Sequence, residues 1–259
     1  MASSDFIFAG DVYLDRLTDA GVPQGYLPPI EAGLLSIEET TELKKRISKR
    51  RETYGQVRRT VSLKQPSKIK LTLNEVSADI LALALLGEVS ARTVAAGTVA
   101  SGAPTEVTLI PDRWVALPHR NITPHVAVTS PIVIATDETT PVTIPLTDVE
   151  INHRAGLIMY TGTALTEATA CTLTYKHGGE TGSRIAGGVK PTIRVSIMMD
   201  LKNIVDGEGA ILVIDEATLT PTSPVDFASD DWISVELEGE LVTLSNKTSP
   251  YILDLLGAA

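Results

Sequence analysis

Histidine, cysteine and a glycine-rich segment are the features of this chain most able to support catalysis or ligand binding. The four histidines are His119, His125, His153 and His177, and their spacing matches no metal-binding pattern. The single cysteine, Cys171, lies in an alternating strand pattern and is predicted to be a small buried hydrophobe. We therefore predict no metal, no cofactor and no enzymatic activity.

The segment GGETGSRIAGG at residues 178–188 has a composition that suits phosphate binding. Gly182 and Gly187 have the spacing of a phosphate-binding loop, but that loop continues with Lys and then Ser or Thr. Here Gly188 and Val189 stand at those two positions. We predict a flexible loop that could become ordered on assembly.

Two acid pairs could in principle act as a general acid and base: Asp206 with Glu208, and Asp230 with Asp231. Both pairs lie in segments of turn composition, in which Asp and Gly are common for conformational reasons. Their spacing does not match a calcium-binding loop. We predict that these carboxylates belong to turns.

The distribution of charge indicates self-association. Between Lys44 and Lys70 the chain has eleven Lys or Arg and one acid, Glu52, for a net charge of +10. The other residues have eleven Lys or Arg and thirty-one Asp or Glu, for a net charge of −20. Opposite potentials steer association and fix its register. A basic segment on an acidic body is complementary to a second copy, so we predict a self-assembling structural protein.

The basic segment is open to three interpretations. It could dock on the acidic surface of another subunit, contact nucleic-acid phosphates, or remain a solvated loop. Tyr54 is the one aromatic residue there that could stack on a base, which argues against a specific single-strand reader. The cations that we predict to make contacts between subunits are Lys44, Lys45, Arg46, Lys49, Arg50, Arg51, Arg58 and Arg59.

Alternating apolar and polar residues predict a mainly β fold with half-buried strands. The pattern occurs in three segments, with apolar sets Val57, Val61, Leu63; Ile69, Leu71, Leu73; and Ile193, Val195, Ile197, Met199, Leu201. Ala210 to Ile214 is apolar at every position, which predicts a central or interface strand. A further strand alternates Val235 and Leu237 with Glu236, Glu238 and Glu240. That acidic stripe is either an ordinary solvent-facing surface or a negatively charged wall.

One segment is predicted to be helical. Ser77 is a good N-cap, Asp79 lies in the first turn, and Gly87 is a good residue to follow the last turn. The resulting helix, at about 78–86, is apolar almost all round and must be covered on more than one side. The second cover is either another subunit or the end of a barrel.

Composition predicts a soluble protein with an aliphatic core. Of 259 residues, 43% are hydrophobic and only 4% are aromatic. The opening MASSDFIFAGD does not resemble a signal peptide. The apolar run Ile80 to Leu86 is far short of the roughly 20 residues that span a bilayer. We expect folding in a cytoplasm, no membrane association, and a possible β elaboration at 112–180.

Several segments occur in a distinctive order: GDVYLDRL, GLLSIEET, the basic arm, YGQVRRTVSLKQPSKIKLTLNEVSADILALALLGE, RWVALPHRNI, VEINHRAGLIMY, LKNIVDGEGAILVIDEATLTP and DDWISVELEGELV. In this order and spacing they resemble the major tail tube proteins of long-tailed bacteriophages, and more closely those of non-contractile tails. The resemblance covers most of the chain. It implies a single domain, 1–259, with a β-sandwich or split barrel and one flanking helix.

The resemblance also implies an assembly. Six copies would join their sheets into a ring with an inner β-barrel, and rings would stack into a tube through an arm at 44–58. The helix would pack near a neighbouring subunit through Ile80, Leu81, Leu83, Leu85 and Leu86, and Glu236, Glu238 and Glu240 would line an acidic lumen.

The implied partners are further copies of the chain, a tape-measure protein, and tail tip and tail terminator proteins. Phage DNA would pass through the lumen without specific binding. The implied location is the virion, after assembly in the bacterial cytoplasm.

Two other functions remain open from the sequence. A capsid decoration protein or adhesin-like binding module would form a fixed oligomer instead of a tube. A carbohydrate-active β enzyme would need paired carboxylates and aromatic platforms, and the low aromatic content disfavours it.

Overall fold

The computed structural model of the chain describes residues 5–99, 103, 105–123, 132–134 and 142–256. The fold is mainly β with a single α-helix among these residues, as the sequence predicts. The chain divides into two compact units, which are Met1–Ser90 with Ile185–Ala259, and Ala91–Arg184. The predicted elaboration at 112–180 lies within the second unit. The assignment of the whole chain to one tail-tube domain stays a prediction.

The elements are labelled in chain order. The first unit contains β1 Phe8–Arg16, β2 Ala32–Glu38, β3 Thr41–Ile47, β4 Val57–Lys64, β5 Lys68–Leu73 and α1 Ala78–Ala84. Strand β6, Glu88–Val94, begins in the first unit and ends in the second. The second unit contains β7 Gly97–Val99, β8 Thr105–Leu109, β9 Trp114–Ala116, β10 Ile132–Ile134, β11 Val142–Ile144, a 3-10 turn Leu146–Asp148, β12 Val149–Asn152, β13 Leu157–Tyr160, β14 Thr169–Leu173 and β15 Tyr175–His177. The chain returns through β16 Glu180–Ala186, and the first unit ends with β17 Ile193–Asn203, β18 Gly209–Pro221, β19 Val235–Leu241 and β20 Tyr251–Leu256.

A seven-stranded sheet organises the first unit. Its strands follow the order β1-β17-β18-β19-β5-β2, and β20 pairs with β18 beside β19. The segment before β2 forms isolated bridges with β1, at Val12 with Ile30 and at Asp15 with Tyr26. The same segment then continues into β2 on β5. The segment before β2 and β2 itself thus join the two edges of the sheet, and the sheet curls into a half-barrel.

The alternating residues of the long strands form the core of this unit. Ile193, Val195, Ile197 and Leu201 of β17 are buried on one face, as predicted, and they pack with aliphatic residues of β1, β5, β18 and β19. The apolar part of β18 has β17 on one side and β20 on the other, so the prediction of a central strand is confirmed. A register shift in the β17–β18 pairing falls between Val195 and Ile197.

The helix begins as predicted and ends differently. The Ser77 hydroxyl accepts a hydrogen bond from the backbone N–H of Ile80 at 3.3 Å. At the C-terminus Leu86, and not Gly87, adopts the left-handed conformation, with φ of 48°. Leu86 donates to the carbonyl of Leu83, and Gly87 donates to the carbonyl of Ala82. This is the bonding pattern of a Schellman motif in which Leu86 is the residue that follows the last turn, so the prediction of Gly87 at that position is wrong.

The second unit is built from small sheets around its own apolar cluster. A four-stranded sheet, β11-β10-β14-β8, and a three-stranded sheet, β12-β13-β9, contribute to it. Cys171 is 1% exposed within this cluster, which confirms its prediction as a buried hydrophobe. Burial raises the pKa of its thiol, so the thiolate that a nucleophile requires is disfavoured.

The prediction of a flexible loop at 178–188 is wrong. Residues Glu180–Ala186 form β16, which pairs with β6. Arg92 of β6 binds the Glu180 carboxylate through Nε at 3.1 Å and through Nη2 at 2.7 Å. Glycine content suggested a loop, whereas cross-strand pairing supplies the order that local composition lacks.

Candidate assembly surfaces

The basic arm is a two-stranded β-hairpin, formed by β3 and β4. The strands pair from Thr41 with Lys64 to Ile47 with Val57, and every residue in both strands is exposed. The prediction that Val57, Val61 and Leu63 form a half-buried face is wrong for this reason. A register shift near the tip also places Val57 opposite Ile47, away from the face of Val61 and Leu63.

The tip of the hairpin has an ordered backbone. Ser48 is 1% exposed, and its hydroxyl lies 2.7 Å from the hydroxyl of Thr53. Backbone N–H groups of Ser48 and Gly55 donate to Gln56 and Ser48 at 2.8 and 3.0 Å. Gly55 takes a positive φ of 84°, which few other residues adopt without strain. This tip presents the exposed side chains of Lys49, Arg50 and Arg51.

The hairpin combines unpaired charge with exposed apolar surface. Between Thr41 and Lys64 there are nine Lys or Arg and two Glu. Within the described ranges, no cation of this segment lies within 4.0 Å of a carboxylate. Five large hydrophobic side chains are exposed on the same strands: Leu43, Ile47, Val57, Val61 and Leu63. All eight cations predicted to make contacts between subunits therefore lie on or beside one projecting element.

The predicted acidic stripe lies on β19, and Glu236 and Glu240 are exposed. The neighbouring strand β5 places Lys70 opposite Glu238 and Lys68 opposite Glu240. The Lys70 ammonium lies 2.5 Å from the Glu238 carboxylate, and this hydrogen bond raises the pKa of Lys70. The stripe is thus partly neutralised within its own sheet. Its role as the wall of a lumen stays a prediction.

The helix residues predicted to pack against a neighbour divide into two groups. Ile80 and Leu83 are 0% and 2% exposed, and they belong to the core of this chain. Leu81, Leu85 and Leu86 are half-buried. Only the second group retains surface for another subunit, and its proposed contact is untested.

Strand β20 is an apolar sheet edge that sequence reasoning did not single out. Within the described part of the chain its one strand neighbour is β18. Ile252, Leu253, Leu255 and Leu256 are between 44% and 57% exposed, so both faces of the strand are apolar and accessible. The signal in the sequence is the run YILDLL, which is apolar at both parities and follows a turn.

A second apolar surface lies at one end of the same sheet. Phe6 and Phe8 stack with ring centroids 5.5 Å apart. The backbone N–H of Ile204, in the β17–β18 connection, donates to the carbonyl of Ile7 at 2.8 Å. Phe6, Ile7, Ile204 and Val205 are each about half exposed or more. Contiguous apolar surface of this kind marks an interaction site more often than a free monomer surface.

The structure brings two of the four histidines together. The rings of His119 and His177 stack with centroids 4.0 Å apart, and His119 Nδ1 lies 2.8 Å from the Tyr175 hydroxyl. Burial, with a smaller contribution from His177, lowers the pKa of His119. Stacked rings direct their nitrogens in parallel, which does not suit joint binding of a metal. His153 bonds to a backbone carbonyl, and His125 lies outside the described residues.

The remaining candidate features among the described residues are metal sites, acid pairs and membrane-spanning helices. No group of three or more His, Cys, Asp or Glu among the described residues could hold a metal ion. The Asp206 carboxylate accepts from the backbone N–H of Glu208 at 3.0 Å, as expected for a turn. Of the helical segments that the structure describes, none is both long and apolar enough to cross a bilayer.

Comparison with known proteins places the chain in a family. No curated protein matches it. A family model described as Protein of unknown function UCP028589 matches residues 5–252, which is nearly the whole chain. A match of this extent includes both compact units and the hairpin. The chain belongs to the family described as Protein of unknown function UCP028589.

Proposed function

We propose that this protein is the subunit of a phage tail tube, which forms hexameric rings that stack around a lumen for DNA. The observation that carries the proposal is the fully exposed hairpin of β3 and β4. An isolated two-stranded hairpin is marginally stable in water. A basic hairpin with five exposed large hydrophobics needs a covering surface, and the acidic body of a second copy provides one.

The edge strand β20 supports joining of subunits within a ring. An exposed apolar edge presents unpaired N–H and C=O groups, and these pair readily with another chain. In a closed ring every edge strand is paired, because each subunit pairs one sheet edge with the next subunit and its other edge with the previous one. A sheet continued around the ring would form the inner wall, with Glu236, Glu238 and Glu240 as its acidic candidates. A negative wall repels DNA phosphates and lets the DNA slide.

The proposed partners follow from this role. The tube would form on a tip complex around a tape-measure protein and end at a terminator protein, and it would reside in the virion after assembly in the host cytoplasm. No enzymatic step is required for any of these contacts.

Trimming the hairpin tests the proposal. Glu42 and Leu63 are opposite in register, so residues 43–62 can be replaced by Asn-Gly, which closes a short hairpin without disturbing the sheet. We expect this variant to remain folded and to form no tubes at any concentration, because it lacks the element that docks on the next ring. Sedimentation velocity and circular dichroism would follow assembly and folding.

Two results would count against this role. Tubes of normal length from the trimmed variant would show that the hairpin does not join rings. A small closed oligomer of the intact chain that never grows would favour the decoration or binding-module alternative.

A further inference from the structure

The connection between β18 and β19 is a long exposed loop. Residues 222–234 join two paired antiparallel strands, for which connections of two to five residues are usual. The loop is closed at its base, where the backbone N–H of Thr222 donates to the carbonyl of Glu236 at 3.0 Å. Side-chain oxygens of Asp226 and Ser229 accept from Ala228 and Asp231 and shape its turns. It therefore has the form of an Ω-loop, a type that is frequently functional.

The loop carries two aromatic side chains that are largely exposed to solvent in the subunit. Trp232 is 98% exposed and Phe227 is 70% exposed, in a chain with only two tryptophans and three phenylalanines. Exposed tryptophan is characteristic of the residues that dominate binding between proteins. The loop also contains Asp226, Asp230 and Asp231 and no Lys or Arg. None of these acids lies within 4.0 Å of a cation among the described residues.

The hairpin of β3 and β4 is the complementary surface. It carries Lys and Arg that form no ion pair with the described residues, together with exposed aliphatic side chains. An Arg guanidinium stacks favourably on tryptophan, and opposite charges around the stack fix its orientation. The tip residues Arg50 and Arg51 are exposed and match this requirement.

The sheet register places the two surfaces at opposite ends of the strands of the seven-stranded sheet. The hairpin leaves the sheet where Glu38, Lys68 and Glu240 are opposite one another. The loop enters β19 at the other end, where Val235 is opposite Leu73. The length of β5 separates the two ends by about 17 Å. Complementary surfaces at opposite ends of the strands suit head-to-tail contacts, which form an open stack when their rotation does not close a ring.

We propose that the loop at 222–234 is the docking site for the hairpin of a second copy, with Trp232 stacked against an arginine of the hairpin tip. The inference rests on the proposed function, because it identifies the surface that receives the hairpin between stacked rings. The occupant is a second copy, since charge and position both match, and the same chain supplies both halves of the contact.

A charge-exchange experiment on the full chain tests this docking. Variant A is Arg50→Glu/Arg51→Glu, and variant B is Asp230→Lys/Asp231→Lys. None of these four side chains makes a hydrogen bond or ion pair within the described residues, and all are exposed, so we expect both variants to fold. Each variant alone presents like charges on hairpin and loop. In an equimolar mixture the acidic hairpin of A can dock on the basic loop of B, and the basic hairpin of B can dock on the acidic loop of A.

The expected result is that A and B each fail to assemble and that their mixture recovers assembly. The mixture should need a higher concentration than the wild type, because the hairpins of A lack the arginines that stack on Trp232. A matched control for variant B, Glu106→Lys/Glu150→Lys, makes the same change in net charge as B at exposed positions of the second unit and should assemble normally. The inference is overturned if B alone assembles like the wild type, or if the mixture does not recover assembly. If A fails to assemble and B assembles normally, the loop is not the docking site, while the proposed tube function is not contradicted.

Tryptophan fluorescence provides a second measurement. With Trp114→Phe, Trp232 is the one remaining tryptophan, and its emission should shift to the blue and resist quenching when the chain assembles. Trp232→Ala should raise the concentration needed for assembly about tenfold, and Trp232→Phe less. An emission spectrum unchanged on assembly would overturn the stacking contact. A wild-type chain that stays monomeric at all concentrations would contradict the proposed function itself.

Discussion

At the end of α1, Gly87 is required because there is no space for a side chain, and not because its backbone is left-handed. Leu86 carries the left-handed conformation at the end of α1, at a cost of about 1 kcal/mol. A Cβ on Gly87 would lie 2.6 Å from the carbonyl oxygen of Ala186 and 3.2 Å from the Cα of Gly187. Glycine is therefore required at 87, because the backbone at the end of β16 approaches it closely.

Gly87→Ala should destabilise the first unit by about 1–3 kcal/mol, because backbone atoms must move to admit the methyl group. Urea unfolding would measure the change in the free energy of unfolding. Gly182→Ala is the control, since nothing lies within 4 Å of its added Cβ and its φ is not positive. Equal stability of the two variants would contradict the close contact.

His119 predicts a dependence of stability on pH. Its pKa is lowered in the folded state, so the unfolded chain binds more protons as the pH falls below its ordinary value of about 6.5. The contribution to stability is present above that value and is lost as the pH falls through the folded-state pKa. Thermal unfolding between about pH 7.5 and about pH 5 should show this loss. His119→Gln should flatten the dependence, and an unchanged slope would contradict it.

Among the secondary-structure elements, period-two alternation predicted the strands better than it predicted which of their residues are buried. β5, β17 and β19 bury the residues that their patterns indicate, because each pairs within the large sheet. β4 has the same pattern and buries nothing, because β3 is its one strand neighbour among the residues that the structure describes. Period-two alternation reports a local conformation, whereas burial depends on neighbours distant in sequence.

The candidate surfaces were predictable to different degrees for the same reason. Charge counting identified the hairpin, since nine cations in one short segment are visible without any fold. The exposure of Trp232 is not visible in this way, because a tryptophan beside a strand is usually part of a core. The pairing of Lys70 with Glu238 also depends on which strands are neighbours, so the acidic stripe looked more strongly charged than it is.

Leu255→Lys should reduce ring formation while leaving the subunit folded. Leu255 is 57% exposed on the edge strand β20, and an inward charge on an edge blocks pairing with another strand. Sedimentation velocity would detect the loss of closed oligomers. Val189→Lys is the matched control, since Val189 is 51% exposed outside any strand. Similar assembly of the two variants would show that β20 does not join subunits.

The molecule as a whole carries complementary charge on separate surfaces. The chain has a net charge of −10, yet nine of its 22 Lys and Arg lie in one exposed hairpin with only two acids. Such a molecule attracts a second copy in a preferred orientation, and added salt weakens that attraction. The apolar edge and the aromatic loop add short-range contacts that electrostatic steering alone does not supply.

Negative-stain electron microscopy of the purified full chain, at low and high concentration, would show whether the protein forms a tube. We expect rings at low concentration and stacked rings or hollow tubes at high concentration, with tube length decreasing as salt is added. Compact particles of one size at every concentration would contradict it.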